Sequence, residues 1–274
     1  MLTRPHCKIN IGLYVTAKRP DGFHNIETLF LPISLCDELE IDKADDFMFQ
    51  QEGIPIGGNP DDNLCVKAYR LLQQDFPQIG DVHIRLRKQI PFGAGLGGGS
   101  SDAAFTLQML NRLFSLGLTN ERLQDYARQL GSDCAVFLEK KAVFATERGD
   151  RFKNIRINLS DYALLLLKPD EAVSTAEAYR SISPKAAPVD LRWAAMQPIA
   201  QWKNLIHNQF EDTIFPNHPQ IAALKQWLYG QGAVYAAMSG SGATVYGLFP
   251  KAQQPHISLP DNKDSLFSAW VQPL

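Results

Sequence analysis

The sequence lacks the features that mark membrane-spanning, exported and nucleic-acid-binding chains. Its longest apolar run, residues 162–167, has six residues, whereas a membrane-spanning helix needs about 20. Residues 1–10 show no apolar signal segment, and the formal net charge of −2 gives no basic field that would hold nucleic acid or an anionic membrane against salt. We therefore expect no export signal, no membrane partner and no nucleic-acid partner.

Cysteine is also scarce, and the four cysteines show neither a C-x-x-C pair nor the cysteine and histidine spacing of a metal site. Cys7, Cys65 and Cys134 have apolar neighbours, as small buried side chains do. This pattern favours a reducing, cytoplasmic location. With 45% hydrophobic and 20% charged residues, the composition excludes disordered, collagen-like and coiled-coil chains.

Strand and helix patterns are mixed along the chain without regular alternation, which predicts an α+β fold. A composition change near residue 155 predicts two domains, residues 1–155 and 156–274. The polar stretch 37–46 interrupts the early strand pattern. Helices are predicted over residues 64–76 (capped by Asn63), 121–130, 175–182, 191–215 and 219–229.

An early strand is predicted from Cys7, where apolar side chains alternate with others at a period of two. Lys8 and Asn10 then project from one face of this strand, about 6.6 Å apart at the usual rise per residue. Taken alone, Lys8 is a solvent-facing strand residue.

A glycine-rich loop follows a second predicted strand, residues 82–88, and leads into a helix. Residues 93–99 contain five glycines, a number that one tight turn does not explain, because each glycine costs folding entropy. A dinucleotide fold is disfavoured, since its first strand is continuously apolar, whereas residues 82–90 alternate. A Walker A loop is excluded, because Gly99 occupies the position after Gly98 at which that motif has lysine. The loop therefore predicts a phosphate cradle of backbone N–H groups at a helix N-terminus.

The phosphate cradle needs a proton acceptor and a cation, for which Asp133 and Lys8 are the candidates. Taken alone, Asp133 is more often the N-cap of a short helix over residues 134–138. Ser100 and Ser101 could add hydroxyl donors or a Mg²⁺ ligand. A second glycine-rich turn, residues 238–242, lies between two predicted strands and is otherwise a hairpin loop.

Three segments together resemble the GHMP kinase superfamily: Lys8-Ile-Asn10, residues 91–104 as its glycine-rich ATP loop, and residues 238–242 as its third motif. The segment Asp21-Gly-Phe-His24 is similar to the branch whose substrate carries a cytidine diphosphate. The resemblance covers nearly the whole chain. It implies a two-domain GHMP kinase fold, with an N-terminal ATP-binding domain of mixed sheet and helices and a C-terminal α/β sandwich-like domain that completes the substrate cleft.

The resemblance also implies roles for individual residues. Asp133 matches the catalytic base and Lys8 its cationic partner. Phe23, which stands where tyrosine is more usual, and Tyr179 match the rings that hold cytosine. The other substrate-binding positions implied are Asn10, His24, Phe30, Ser239 and Gly240. The positions implied to wrap the ATP phosphates are Pro91, Phe92, Gly93, Ala94, Gly95, Leu96, Gly97, Gly98, Gly99, Ser100 and Ser101.

The implied reaction moves the γ-phosphoryl group of ATP, with Mg²⁺, onto the 2-hydroxyl of a cytidine diphosphate-linked methylerythritol in non-mevalonate isoprenoid synthesis. The nearest alternative is another kinase of the superfamily, acting on homoserine, mevalonate or a sugar. A non-catalytic nucleotide sensor and a dinucleotide oxidoreductase remain as alternatives from other classes. Retention of both Lys8 and Asp133 argues against the sensor.

Overall fold

The computed structural model describes residues 1–139, 141–180, 182–252 and 266–274. The chain forms two compact units whose segments alternate along the sequence. The first unit comprises Met1–Cys7, Leu35–Phe92 and Gly97–Lys140, and the second comprises Lys8–Ser34, Gly93–Leu96 and Lys141–Leu274. The predicted division of the sequence at residue 155 stays a prediction.

Strands and helices are mixed along the chain, as the α+β prediction requires. The strands are Leu2–Thr3 (β1), His6–Lys18 (β2), His24–Cys36 (β3), Glu38–Lys43 (β4), Met48–Gly53 (β5), Val82–Lys88 (β6), Val143–Thr146 (β7), Arg151–Asn154 (β8), Tyr162–Pro169 (β9), Tyr235–Met238 (β10), Val245–Pro250 (β11) and Leu266–Val271 (β12). The α-helices are Leu64–Asp75 (α1), Gly98–Leu113 (α2), Asn120–Leu130 (α3), Thr175–Arg180 (α4), Leu191–Ala195 (α5), Ile199–Leu205 (α6), Glu211–Ile214 (α7) and Pro219–Gly230 (α8). Short 3₁₀ helices cover Pro60–Asp62 and Cys134–Leu138.

The first unit combines one sheet with the helices α1 to α3. The sheet has the order β1-β4-β6-β5, in which β5 runs parallel to β6 and the other pairs are antiparallel. In β6 the apolar residues are buried while Arg85 and Arg87 are exposed, so the predicted alternation is confirmed. Helix α2 packs against β4. The chain leaves the end of β6 at Lys88 and enters the glycine-rich loop before α2 begins at Gly98.

The second unit contains two further four-stranded sheets. One has the order β2-β3-β7-β8, and the other has the antiparallel order β10-β11-β9-β12. Strand β9 carries a run of four leucines, Leu164, Leu165, Leu166 and Leu167, all of them fully buried. Because a strand presents alternate residues to opposite faces, such a run requires cover on both faces of its sheet. Helix α8 packs against this sheet.

Several sequence predictions agree with these elements. Asn63 caps α1 by accepting a hydrogen bond from the backbone N–H of Cys65. The turn over residues 239–244 joins β10 to β11 in an antiparallel hairpin, in which Met238 pairs with Val245. Among the described residues, no helix has the length and the apolar character that a bilayer span requires.

Other predictions were wrong. The polar stretch 37–46 is not a break, because it contains β4, whose Leu39 and Ile41 are fully buried between charged neighbours. The helix predicted over 191–215 is divided into α5, α6 and α7. Pro198 stands before α6, and Ile206 in the extended conformation ends it. Proline lacks the N–H group that a continuous helix would use at that point.

Candidate active site

Three of the first five residues of the glycine-rich loop have a left-handed backbone conformation. Gly93, Gly95 and Gly97 have φ angles of 61°, 71° and 73°, in the left-handed region that side chains with a Cβ rarely adopt. Gly97 is the N-cap of α2 and offers no side chain to the N–H groups of the first turn. These N–H groups can donate hydrogen bonds to a phosphate group, and the positive end of the helix dipole lies behind them.

One carbonyl of the loop is held by two donors within the second unit. The Gly95 oxygen accepts hydrogen bonds from Lys8 Nζ at 3.0 Å and from Ser239 Oγ at 2.8 Å. A Cβ atom at position 95 would lie 2.0 Å from the Ser239 carbonyl oxygen, so this contact requires glycine. The first strand motif, the loop and the third motif therefore meet at Gly95.

Lys8 and Asn10 are both buried, with exposed fractions of 3% and 1%. Lys8 Nζ donates to Asn10 Oδ1 at 2.7 Å, which places the two side chains on one face, as their spacing predicts. The solvent-facing alternative for Lys8 is wrong, because residues 7–15 are buried on both faces of β2. Asn10 is fixed in turn by donating through Nδ2 to Thr28 Oγ1 at 2.9 Å. Lys8 Nζ also lies 5.2 Å from the ring centre of Phe30.

Asn208, a residue that sequence reasoning missed, binds the hairpin loop of the third motif. Its side-chain amide is fully buried and donates to the carbonyl oxygens of Met238 and Gly240, both at 2.8 Å. Ser239 Oγ accepts from the backbone N–H of Asn10 at 3.2 Å. Asn208 lies in a stretch predicted to be helical, and no motif distinguishes it there.

The predicted cytosine-binding residues include a pair of stacked rings. The rings of His24 and Tyr179 lie 4.9 Å apart with an angle of 22° between their planes, and Phe210 contacts Tyr179 edge-on at 4.8 Å. Burial, followed by the charge of Lys18, lowers the pKa of His24, which keeps its ring neutral near pH 7. A neutral imidazole offers one donor and one acceptor, as recognition of a base edge requires.

Phe23 is the other ring predicted to hold cytosine. Its ring is half exposed and is covered by the guanidinium of Arg148, whose Cζ lies 3.9 Å from the ring centre. The ring that lies against Tyr179 is that of His24. The cytosine-binding roles of Phe23 and Tyr179 stay predictions.

Both ends of the glycine-rich loop are anchored in the first unit by a buried ion cluster, which sequence reasoning also missed. Lys88 Nζ, at the end of β6, contacts Asp37 Oδ2 and lies 2.7 Å from Asp102 Oδ2 in α2. Asp37 Oδ1 accepts from the backbone N–H groups of Gln89 and Ile90 at 2.5 and 2.8 Å. Burial and the charge of Asp37 raise the pKa of Asp102 to about 7, against the opposing effect of Lys88.

Asp133, Ser100 and Ser101 lie in the first unit. Asp133 occupies the N-cap position of the 3₁₀ helix Cys134–Leu138, as the alternative predicts, but its side chain makes no capping hydrogen bond. Ser101 Oγ donates to the carbonyl of His6 at 2.6 Å, and Ser100 lies within hydrogen-bonding reach of the Cys134 thiol. The described residues contain no cluster of three or more His, Cys, Asp or Glu side chains that could hold a metal ion. The predicted meeting of Asp133 with Lys8 stays a prediction.

Two family models match the chain. The model of the GHMP kinases N terminal domain matches residues 63–140, and the model of the GHMP kinases C terminal domain matches residues 192–258. A homoserine kinase from Cytophaga hutchinsonii has a similar fold, with a TM-score of 0.69 at 15% identity, over 96% of this chain and 95% of its own.

More similar relatives share one name. The chain is 48% identical to the 4-diphosphocytidyl-2-C-methyl-D-erythritol kinase of Bacteroides thetaiotaomicron over 95% of both proteins. It is 49% identical to the Bacteroides fragilis enzyme of that name, over 91% of this chain and 92% of that enzyme. A crystal structure of 4-(cytidine 5'-diphospho)-2C-methyl-D-erythritol kinase covers 99% of both chains with a TM-score of 0.81 at 27% identity. The chain therefore belongs to the GHMP kinase family and, within it, to the group of the 4-diphosphocytidyl-2-C-methyl-D-erythritol kinases.

Proposed function

We propose that the protein transfers the γ-phosphoryl group of ATP to the 2-hydroxyl of 4-diphosphocytidyl-2-C-methyl-D-erythritol, giving the 2-phosphate and ADP in the non-mevalonate route to isoprenoid precursors. The observation that carries this proposal is the 48% identity to an enzyme named for that substrate, over 95% of both chains. The hydrogen bonds that join Lys8, Gly95 and Ser239 support it, because they fix an ammonium group at the wall of a phosphate-binding loop.

The glycine-rich loop would hold the ATP phosphates through the backbone N–H groups that follow Gly93, Gly95 and Gly97. The left-handed glycines allow close approach of a phosphate, and α2 adds its positive dipole end. Mg²⁺ would reach the site with ATP, since this ion is usually held by substrate phosphates and few protein ligands. Bound Mg²⁺ would neutralise part of the negative charge of the ATP phosphates. Ser100, at the start of α2, offers a hydroxyl that fits this ion.

Phosphoryl transfer would depend on Lys8 and Asp133 in different ways. An aspartate carboxylate is a far weaker base than an alkoxide, so Asp133 cannot remove the hydroxyl proton before transfer begins. The proton would pass to Asp133 late, when the loose transition state has made the attacking oxygen acidic. Lys8 would stabilise the charge on the transferring group, and most of the rate would come from positioning and charge stabilisation.

Cytosine recognition would use Tyr179, His24 and Phe23. Stacking on an aromatic ring contributes about 1 to 3 kcal/mol per base. The His24 imidazole, once displaced from the Tyr179 ring by the base, offers hydrogen-bonding groups to its edge. Asn10 would contact the polar part of the substrate near its diphosphate, beside Lys8.

A substrate panel tests the assignment. Purified enzyme with ATP and Mg²⁺ is offered the cytidine diphosphate-linked substrate, the same alcohol without the cytidine diphosphate group, homoserine and mevalonate, and ADP release is measured. We expect turnover of the first compound alone. Preferential turnover of homoserine or mevalonate would contradict the proposal.

Replacing Asp133 by asparagine tests the proton acceptor. We expect Asp133→Asn to lower kcat by about 10²-fold or more, with KM for ATP nearly unchanged, since general base catalysis contributes 10²–10⁴-fold. Asp125→Asn, an exposed aspartate paired with Arg128, is the matched control and should keep full activity. A raised KM with normal kcat in Asp133→Asn would contradict the catalytic role.

Truncating Tyr179 tests the base-binding ring. We expect Tyr179→Ala to raise KM for the cytidine substrate roughly 5- to 150-fold, because 1 to 3 kcal/mol of stacking is lost. KM for ATP should stay unchanged. Tyr179→Phe keeps the ring and is expected to bind almost normally. If the alanine variant binds the cytidine substrate like the wild type, Tyr179 does not stack on the base.

A further inference from the structure

A second ionisable cluster lies behind the predicted base-binding helix, in the second unit. The ring of His218 is 12% exposed and stands between two carboxylates: Nδ1 lies 2.5 Å from Glu171 Oε1, and Nε2 lies 2.9 Å from Glu177 Oε1. The three residues come from separate segments. Glu171 follows β9, Glu177 belongs to α4, and His218 immediately precedes α8.

The geometry selects the charged form of His218. Only an imidazolium ring can donate through both nitrogens at once, and each carboxylate accepts. The hydrogen bonds that His218 donates to Glu177 and Glu171 accordingly raise its pKa above the ordinary value, outweighing the effect of burial. The charged groups that face His218 are these two carboxylates, and Lys168 Nζ lies nearby, where it donates to the backbone oxygens of Pro169 and Glu171.

Helix α4 needs such an anchor because it has only six residues, Thr175–Arg180. A helix of this length is not stable by itself in water and takes its position from its contacts. Glu177 and Tyr179 are two residues apart, so on a helix of 3.6 residues per turn they point to nearly opposite sides. His218 thus fixes α4 from the side opposite to the Tyr179 ring.

We propose that His218 is a positioning residue, which in its protonated form bridges Glu171 and Glu177 and so holds α4 where Tyr179 receives the cytosine ring. This inference rests on the proposed function. Above its pKa the ring loses one N–H donor, one of the two carboxylates faces a lone pair, and α4 is released from that anchor. Affinity for the cytidine substrate therefore falls as pH rises through the raised pKa of His218, while ATP binding does not change.

The test compares the wild type with His218→Gln, measuring kcat and both KM values from pH 6 to 9. In the wild type we expect KM for the cytidine substrate to rise with pH above 6.5. In His218→Gln we expect this KM to be about tenfold higher at pH 6.5 and nearly independent of pH above it, because charge-assisted hydrogen bonds are lost. KM for ATP and kcat should match the wild type. His83→Gln, which removes a histidine paired with Asp46 in the first unit, is the control and should leave the whole profile unchanged.

A second variant, Glu177→Gln, keeps a polar partner for the ring but removes one charge. In this variant the rise of KM for the cytidine substrate should occur at lower pH than in the wild type. Its folding, and that of His218→Gln, is checked by thermal melting. Protonation of His24 also affects cytidine binding, but the pKa of His24 is lowered, so that effect falls on the acid side of pH 6.5.

Binding of cytidine 5'-diphosphate, measured by calorimetry, separates failure of this inference from failure of the proposed function. If the wild type binds this nucleotide but does not phosphorylate the cytidine substrate, the function is wrong, and the binding constants of the variants still test His218. If it does neither, both proposals are overturned. If the wild type is active and both variants keep its KM values and pH profile, the role of His218 is overturned. A fall in kcat together with a rise in both KM values would also overturn it.

Discussion

Two lysines of this chain are equally buried but are held by different kinds of acceptor. Lys8 and Lys88 are each 3% exposed. Lys88, in the first unit, contacts the carboxylates of Asp37 and Asp102. Lys8, in the second unit, donates to the amide oxygen of Asn10 and the carbonyl oxygen of Gly95. Lys88 therefore contacts two carboxylates, whereas these two acceptors of Lys8 are neutral oxygens.

This difference supports the proposal that Lys88 is a structural cation and that Lys8 acts on a ligand. Burial lowers the pKa of Lys88, but the charges of Asp102 and Asp37 outweigh it and raise that pKa, so its charge is fixed and compensated inside the unit. Hydrogen bonds to the Asn10 amide oxygen and the Gly95 carbonyl oxygen orient the Lys8 ammonium at the glycine-rich loop. The sequence around a lysine does not by itself distinguish the two cases.

The largest expected effect is on stability, from the loss of Lys88. Lys88→Met leaves two carboxylates buried without their cation, and breaking such a pair costs about 3 to 5 kcal/mol. We expect Tm to fall by roughly 6 to 20 °C in a calorimetric melt. Lys67→Met, which breaks an exposed pair with Asp62, should change Tm by about 4 °C or less. Equal losses in the two variants would show that the cluster does not stabilise the first unit.

The loss of Lys8 should have a smaller effect on stability and a larger one on catalysis. Lys8→Met removes the donor to the Asn10 amide oxygen and the part-buried Gly95 carbonyl oxygen. The loss of these two hydrogen bonds costs about 1 to 3 kcal/mol, so we expect a smaller fall in Tm than in Lys88→Met. We expect kcat to fall by about 10²-fold or more, because charge stabilisation in the transition state is lost. If Lys8→Met melts as early as Lys88→Met, or retains normal kcat, the comparison of the two lysines fails.

Much of the site was predictable because its residues are close in sequence or follow a simple period. The spacing of Lys8 and Asn10 on a strand predicts that their side chains share one face, and the pattern of residues 82–114 predicts a strand, a glycine-rich loop and a helix in that order. The start of α1 follows from Asn63, whose side chain caps the helix locally. Each of these features depends on neighbours within a few residues.

The elements that were missed depend on partners far along the chain. Lys88 is 51 residues from Asp37, which lies in the polar stretch 37–46. Its other partner, Asp102, lies in the first turns of α2. Asn208 acts on backbone atoms 30 and 32 residues away. No period or spacing in the sequence relates such positions, because tertiary packing alone brings them together. The stack of His24 on Tyr179 is of the same kind.

The smallest expected effect concerns the pH dependence of stability and sharpens the account of the Lys88 cluster. The pKa of Asp102 in the folded protein, about 7, lies above its ordinary value of 3.8. The folded chain therefore binds more protons than the unfolded chain between these values, and stability is lost as pH rises through that window. Between pH 6 and 8 this loss amounts to about 1 kcal/mol.

Asp102→Asn removes this titration while Asp37 still pairs with Lys88. We expect the fall in Tm from pH 6 to pH 8 to be roughly 2 to 4 °C smaller in Asp102→Asn than in the wild type, measured in matched buffers. Asp125→Asn, at an exposed position of α3, should have the Tm of the wild type at both pH 6 and pH 8. If the Asp102→Asn variant loses as much stability over this window as the wild type, the Asp102 carboxyl does not titrate there, and the cluster holds both of its carboxylates ionised beside Lys88 at pH 6.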